Sequence, residues 1–202
     1  MKYYIVASVL LAALCAGMPA DPEPDFWFST SVHPSGPPAL RLRRASGGQA
    51  PVDPDHVPSS VCRNMTPSHG GSEPQAEPWP YTVSVDKRRV APGDIVTVTV
   101  SGTDSFKGIY IQGRIGDTPV GTFQPHENEA VVISDCDPGT DNALSYVSRT
   151  ALDNIELKWK APNTPGNVIF RCTVVKSFRE FWVGIKSPEI QIVVSEDTCV
   201  FF

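Results

Sequence analysis

Between Ile95 and Val100 the chain alternates strictly, with Val96, Val98 and Val100 on one side and Thr97 and Thr99 on the other. That period of two marks a half-buried strand. A second run follows, with Ile109, Ile111 and Ile115 on one face and Tyr110, Gln112 and Arg114 on the other. Residues 101–105 between them read Ser-Gly-Thr-Asp-Ser, a composition that predicts a loop. Two strands with one oily face each need a second sheet over them, so this stretch is expected at the inner edge of a sandwich.

The same period recurs along the chain. Residues 79–85 predict the first strand, and 119–123 and 129–133 two short ones. Residues 144–149 and 155–159 predict two more; in the latter Ile155, Leu157 and Trp159 point in and Glu156, Lys158 and Lys160 out. In 167–175 the inward set is Val168, Phe170, Cys172 and Val174, and 181–185 and 190–194 complete the count. About nine short strands with no helical period predict an all-β sandwich. The domain is placed at 56–202, about 145 residues, enough for an independent core.

What precedes it reads differently. Residues 1–17 combine Lys2, an apolar run to Leu14 and small residues at Ala16 and Gly17, the pattern of a secretory signal peptide. The run is shorter than the ~20 residues a membrane span requires, so no span is expected. Residues 18–55 are rich in Pro, Gly and Ser without apolar period, which predicts a flexible arm. Inside it Arg41-Leu42-Arg43-Arg44 offers an R-x-x-R processing site, with cleavage expected after Arg44. Net charge is −5, or −6 once Lys2 is removed (−5 minus +1), which argues against a nucleic-acid partner.

Removing the signal leaves Cys62, Cys136, Cys172 and Cys199, which in an oxidising compartment predict two disulfides in one of three connectivities. No CxxC pair occurs, so no metal or cofactor is expected. Asn64-Met65-Thr66 is a glycosylation acceptor weakened by Pro67.

The ordered set Cys62-x-x-Met65-x-Pro67-x-His69, Pro80-Tyr81-Thr82-Val83, Pro92-Gly93-Asp94, Phe106-Lys107-Gly108 with Gln112 and Arg114, Pro119 to Phe123, Trp159-x-Ala161-Pro162 and Phe181-Trp182-Val183 resembles the reeler (reelin N-terminal) domain family. The likeness runs from about Val57 to Val194 and is nearest to small stand-alone insect members described as defence proteins, including the noduler type. The arm at 18–55 departs from that pattern. The resemblance implies an antiparallel, immunoglobulin-like β-sandwich with two disulfides, Cys62–Cys136 and Cys172–Cys199. It also implies an extracellular protein of innate immunity. Its partners would be bacterial or fungal surface glycolipids and polysaccharides (lipopolysaccharide, lipoteichoic acid or glucan), and also the haemocyte surface.

Catalysis has little support. His69, His126, Asp135, Asp137 and Asp141 occur without a nucleophile elbow or HExxH, so no enzymatic activity is expected. The Asp-rich stretch at 135–142 resembles a Ca²⁺ clamp but reads better as turn chemistry. The candidate ligand-binding residues are Lys176, Phe178, Arg179 and Lys186 around a hairpin tip, and Lys87, Arg88 and Arg89 as a second cluster. Cations beside an aromatic suit phosphate and acyl groups together, whereas Trp182 reads as core. The rival function is an adhesion or matrix module that binds host proteins through a sheet edge.

Overall fold

The structure is a computed structural model that describes residues 59–194. The expected signal peptide, the arm with its Arg44 site, and Cys199 lie outside the described residues. A 3-10 turn at Ser59–Val61 is followed by strands β1 (Tyr81–Val85), β2 (Arg89–Val90), β3 (Ile95–Ile115), β4 (Thr118–Pro119) and β5 (Thr122–Phe123). Then come β6 (Val131–Ser134), β7 (Ala143–Lys160), β8 (Gly166–Val175), β9 (Phe181–Lys186) and β10 (Ile190–Ile192).

The long strands β3 and β7 pair antiparallel from Ile95↔Lys160 to Gln112↔Ala143. β1 joins the first half of β3, and β8 joins the second. Register shifts between Ser101 and Phe106, and between Phe106 and Gly108, mark where the ribbon changes layer. The inward set changes phase there. Val96, Val98, Val100 and Phe106 come from even positions, Ile109 and Ile111 from odd ones, and all join one buried cluster. Trp159 of β7 and Phe170 of β8 meet edge-on within it, 5.1 Å between centroids.

Four sequence expectations change. Residues 101–105 do not form a loop between strands but stay within β3, and 144–149 and 155–159 are parts of one strand, β7. Small polar residues loosen pairing locally there, while the alternation on either side keeps the backbone extended. The pairing is antiparallel except for β2 with β10, which is parallel (Gln191↔Arg89, Ile192↔Val90). Finally, Tyr110, Gln112 and Arg114, expected on an outward polar face, are 1%, 0% and 3% exposed.

The cause of that burial is the segment at 59–75, which crosses the second face of β3, β8 and β9. Val61 and Met65 join Tyr110, Cys136, Ala143, Val175 and Phe181 in a smaller second core. The segment is held by the Cys62–Cys136 disulfide, Cα–Cα 5.6 Å. The Thr173 hydroxyl donates to the Met65 carbonyl at 2.6 Å, and the Gln75 amide to the Phe181 carbonyl at 2.8 Å. His69 lies stacked on Phe178 and edge-on to Phe181, both at 4.9 Å, and is 2% exposed. Burial pushes its imidazole down to about 4, against a hydrogen bond with the Phe178 backbone that pulls upward.

Cys172 is fully buried in the main core, and among the described residues it has no disulfide partner. β10 runs antiparallel to β8, with Ile192 opposite Gly166, so by Ile192 the chain is moving away from Cys172. The expected partner, Cys199, lies outside the described residues.

Two predictions follow from this packing. Gly121 has φ +69°, and a Cβ there would stand 2.3 Å from the Trp159 ring; Gly116 has φ +62° with nothing within 4 Å. In urea titrations Gly116→Ala is expected to cost about 1 kcal/mol and Gly121→Ala roughly 3 kcal/mol, because only the latter adds a clash with a buried ring. Equal losses would show that Trp159 moves aside freely. For His69, the folded value near 4 lies below the ordinary 6.5. Stability from the neutral imidazole is therefore complete above pH 6.5 and lost as pH falls toward 4, by about 3 kcal/mol. His69→Phe should flatten that part of the stability-pH curve, measured by denaturation at fixed ionic strength.

Candidate functional site

The β8–β9 hairpin closes through Lys176, whose amide donates to the Glu180 carbonyl at 2.9 Å, and through the Ser177 hydroxyl, which accepts from the Glu180 amide at 3.2 Å. At its tip the Lys176 ammonium lies 3.1 Å from Asp104 and 3.8 Å from Glu180. The hydrogen bond to Asp104, then the charges of Asp104 and Glu180, raise its pKa. Phe178 is held on His69, and the Arg179 carbonyl accepts from Gln75 Nε2 at 3.3 Å. The Arg179 side chain is exposed, whereas Phe181 and Trp182 belong to the cores, as expected for Trp182. The tip is thus a docked structure whose lysine already faces two carboxylates.

The other expected residues do not gather here. Lys87, Arg88 and Arg89 lie beside β10, which pairs with the start of β8, whereas the tip follows its end. Roughly 23 Å of strand separates the two clusters. Lys87 Nζ donates to the Ile95 carbonyl at 2.9 Å, and Arg88 and Arg89 are exposed. Lys186 stands opposite Arg171 at the far end of β9 from the tip.

The disulfide end carries a different arrangement. Arg114 Nε donates to Gln112 Oε1 at 2.8 Å, and Gln112 Nε2 donates to the Tyr110 hydroxyl and to Cys136 Sγ, both at 3.0 Å. Arg114 Nη2 donates to the carbonyls of Cys62 and, at 3.2 Å, Arg63. Above this ladder lies a groove of about 900 Å³, lined by Ser60, Cys62, Arg63, Asp117, Thr118, Pro119, Asp137 and Pro138. Arg171 pairs with Asp117 at its edge, 3.0 Å apart. Burial, then the charge of Arg171, lowers the pKa of Arg114, which stays protonated.

Neighbouring polar groups are engaged in turns. Asp135 Oδ1 accepts from the Asp141 amide at 2.8 Å, and the Asn142 carboxamide closes on the Cys136 backbone with two bonds of 2.7 Å. His126 Nδ1 accepts from the Asn128 amide at 2.9 Å. Among the described residues, no three of His, Cys, Asp and Glu are grouped to hold a metal. Exposed Asn64 accepts from the Thr66 amide at 3.1 Å through its own side chain.

Sequence reasoning missed Arg63, Arg114 and Arg171. Arg171 was visible as the outward residue between Phe170 and Cys172. Arg114 was assigned to solvent, because nothing in a two-residue period reveals that a distant segment covers the opposite face.

The Reeler domain family model matches residues 60–198. The chain is 43% identical over 157 residues to the "Putative defense protein" of Locusta migratoria, covering 76% of this chain and 86% of that one. It is 36% identical over 138 residues to "Putative ferric-chelate reductase 1" of Danio rerio, covering 65% of this chain but only 24% of that protein. The crystal structure of the Reelin-N domain of F-spondin superposes with a TM-score of 0.53 at 17% identity, over 67% of this chain and 98% of that one, which shows a shared fold. No helix among the described residues is long and apolar enough to cross a membrane. Fold, ordered motifs and family model agree, and the chain belongs to the Reeler domain family.

Proposed function

We propose that this chain is a secreted, non-enzymatic defence protein that binds microbial surface molecules and promotes haemocyte nodulation or an antibacterial response. The observation that carries the reading is the likeness to the locust protein named for defence, which spans 86% of that protein. The likeness to the reductase supports no activity here, since 24% of that chain is matched. Residues 1–17 are the expected export signal, and the Cys62–Cys136 bridge suits the oxidising space outside cells.

Binding rests on exposed side chains carried by a rigid sheet. Arg88, Arg89, Arg179 and Lys186 are exposed cations at separate places on the surface, able to meet a repetitive anionic polymer at several points. Lys176 and Phe178 contribute less than their sequence position suggests, being held by Asp104, Glu180 and His69. Recognition of this type is electrostatic in part and weakens as salt shortens the Debye length from ~8 to ~3 Å.

The test is retention of the purified full-length chain on whole bacteria and, separately, on haemocytes, at physiological and at 1 M salt. Retention on bacteria, reduced at high salt, is expected. Retention on haemocytes with none on bacteria would replace this reading by the adhesion-module alternative.

A further inference from the structure

Three cations from strands far apart in sequence meet on the second face of the sheet. Arg171 on β8 stands directly across from Gln112 on β3 and from Lys186 on β9. Directly opposed residues of antiparallel strands share a face, with Cβ atoms roughly 5 Å apart. Arg114 lies one step along β3, opposite Ile169, on that same face. Arg63 joins them from the covering segment: its carbonyl accepts from Arg114, and the residue lines the groove with Asp117.

The charges here are unequal. Against the four cations Arg63, Arg114, Arg171 and Lys186, the groove is lined by two carboxylates, Asp117 and Asp137. The ion pair found there among the described residues is that of Arg171 with Asp117, whose side chain is 87% exposed. Exposed pairs of this kind contribute at most about 1 kcal/mol, so a better anion displaces the carboxylate readily. Arg114 hydrogen-bonds to neutral acceptors and keeps its charge beneath the groove wall. The hairpin tip differs in this respect, because Asp104 and Glu180 already answer Lys176.

We propose that Arg171, Lys186 and Arg63, backed by the buried Arg114, form a phosphoryl-binding site in which Asp117 occupies the place of the ligand's anion. The guanidinium fork of Arg171 matches two phosphate oxygens, and Lys186 supplies a point charge beside it. The groove along Ser60, Thr118 and Pro119 leaves room for the polyol that joins successive phosphates in a polymer. This deepens the defence reading and rests on it for the source of the phosphate. The anion site itself stands on geometry alone.

The experiment uses the full-length chain and calorimetric titration with three probes: soluble polyribitol-phosphate teichoic acid, inorganic phosphate, and a neutral β-glucan. Teichoic acid is expected to bind. Arg171→Gln and Lys186→Gln should each weaken it roughly tenfold, as loss of a charge-assisted hydrogen bond does. Asp117→Asn should tighten binding severalfold by removing the competing carboxylate. Lys186 and Asp117 are exposed, so their variants keep the test intact if Arg171→Gln fails to fold. Inorganic phosphate bound as tightly as the polymer, with the same residue dependence, would support the site and assign it to free phosphate. Binding indifferent to both Lys186→Gln and Asp117→Asn, or equal affinity for the neutral glucan, would overturn it. If bacteria retain the chain while these variants change nothing, the site fails and the defence reading stands. If phosphate binds as described but bacteria retain nothing, the reading fails and the site stands.

Discussion

A buried arginine without a carboxylate at its hydrogen-bonding atoms ties this fold together. Arg114 is 3% exposed, and its guanidinium donates to the Gln112 side chain and to the carbonyls of Cys62 and Arg63. Taking a charge out of water is costly unless polar groups surround it. Here the groups that surround it are backbone carbonyls, which exist in that position only because the disulfide to Cys136 brings the Cys62 turn down onto the sheet. Charge, cross-link and turn are mutually dependent. Loss of the bridge would free the segment, and loss of the segment would return the charge to water and uncover the second core beneath it.

The same segment explains why β3 is buried on both sides. A half-buried strand should present one polar face to water. Tyr110 and Gln112 are polar at their tips, but those tips bond to one another and to Cys136 Sγ, while the Tyr110 ring packs in the cluster of Met65, Val175 and Phe181. Burial pushes the Tyr110 phenol up to about 12, so it remains a neutral donor across physiological pH. A fully satisfied polar layer of this kind specifies one register, since a one-residue slip would place apolar residues where hydrogen-bonding groups are required.

Most strands were legible because they obey a local rule. Ile155, Leu157 and Trp159, and Val168, Phe170, Cys172 and Val174, point inward as their alternation predicts. Continuity of the strands was not legible: Gly102 and Asp104 carry turn chemistry, yet they lie within β3, since neighbouring strands dictate its course. The pairing of Cys62 with Cys136 came from family resemblance, because spacing alone allowed three connectivities. His69 illustrates the limit from another side. Its neighbours at 68–72 are small and polar, with nothing local to cover an imidazole, and only the return of Phe178 and Phe181 from more than a hundred residues later buries it.

Charge placement follows the same division between local and distant. Lys176 and Lys186 sit in one short stretch and looked like flanks of a single patch, but β9 carries Lys186 away from the tip along the length of the strand. Lys176 stays at the tip with Asp104 and Glu180, and Lys186 arrives across from Arg171, whose side chain shares a face with Arg114. In an antiparallel sheet, residues adjacent in sequence diverge along the strand, while residues 15 or 60 positions apart become neighbours across it. A search for basic runs therefore finds Lys87–Arg89 and overlooks a row assembled one cation per strand. The row's members on β3 and β8 lie on backbone paired to a strand on each side, whereas Lys87 and Arg88 precede the two-residue β2, which carries Arg89 and pairs with β10 alone among the described residues. The resulting difference in entropic cost favours the row over the run as a place where geometry, and not charge alone, selects what binds.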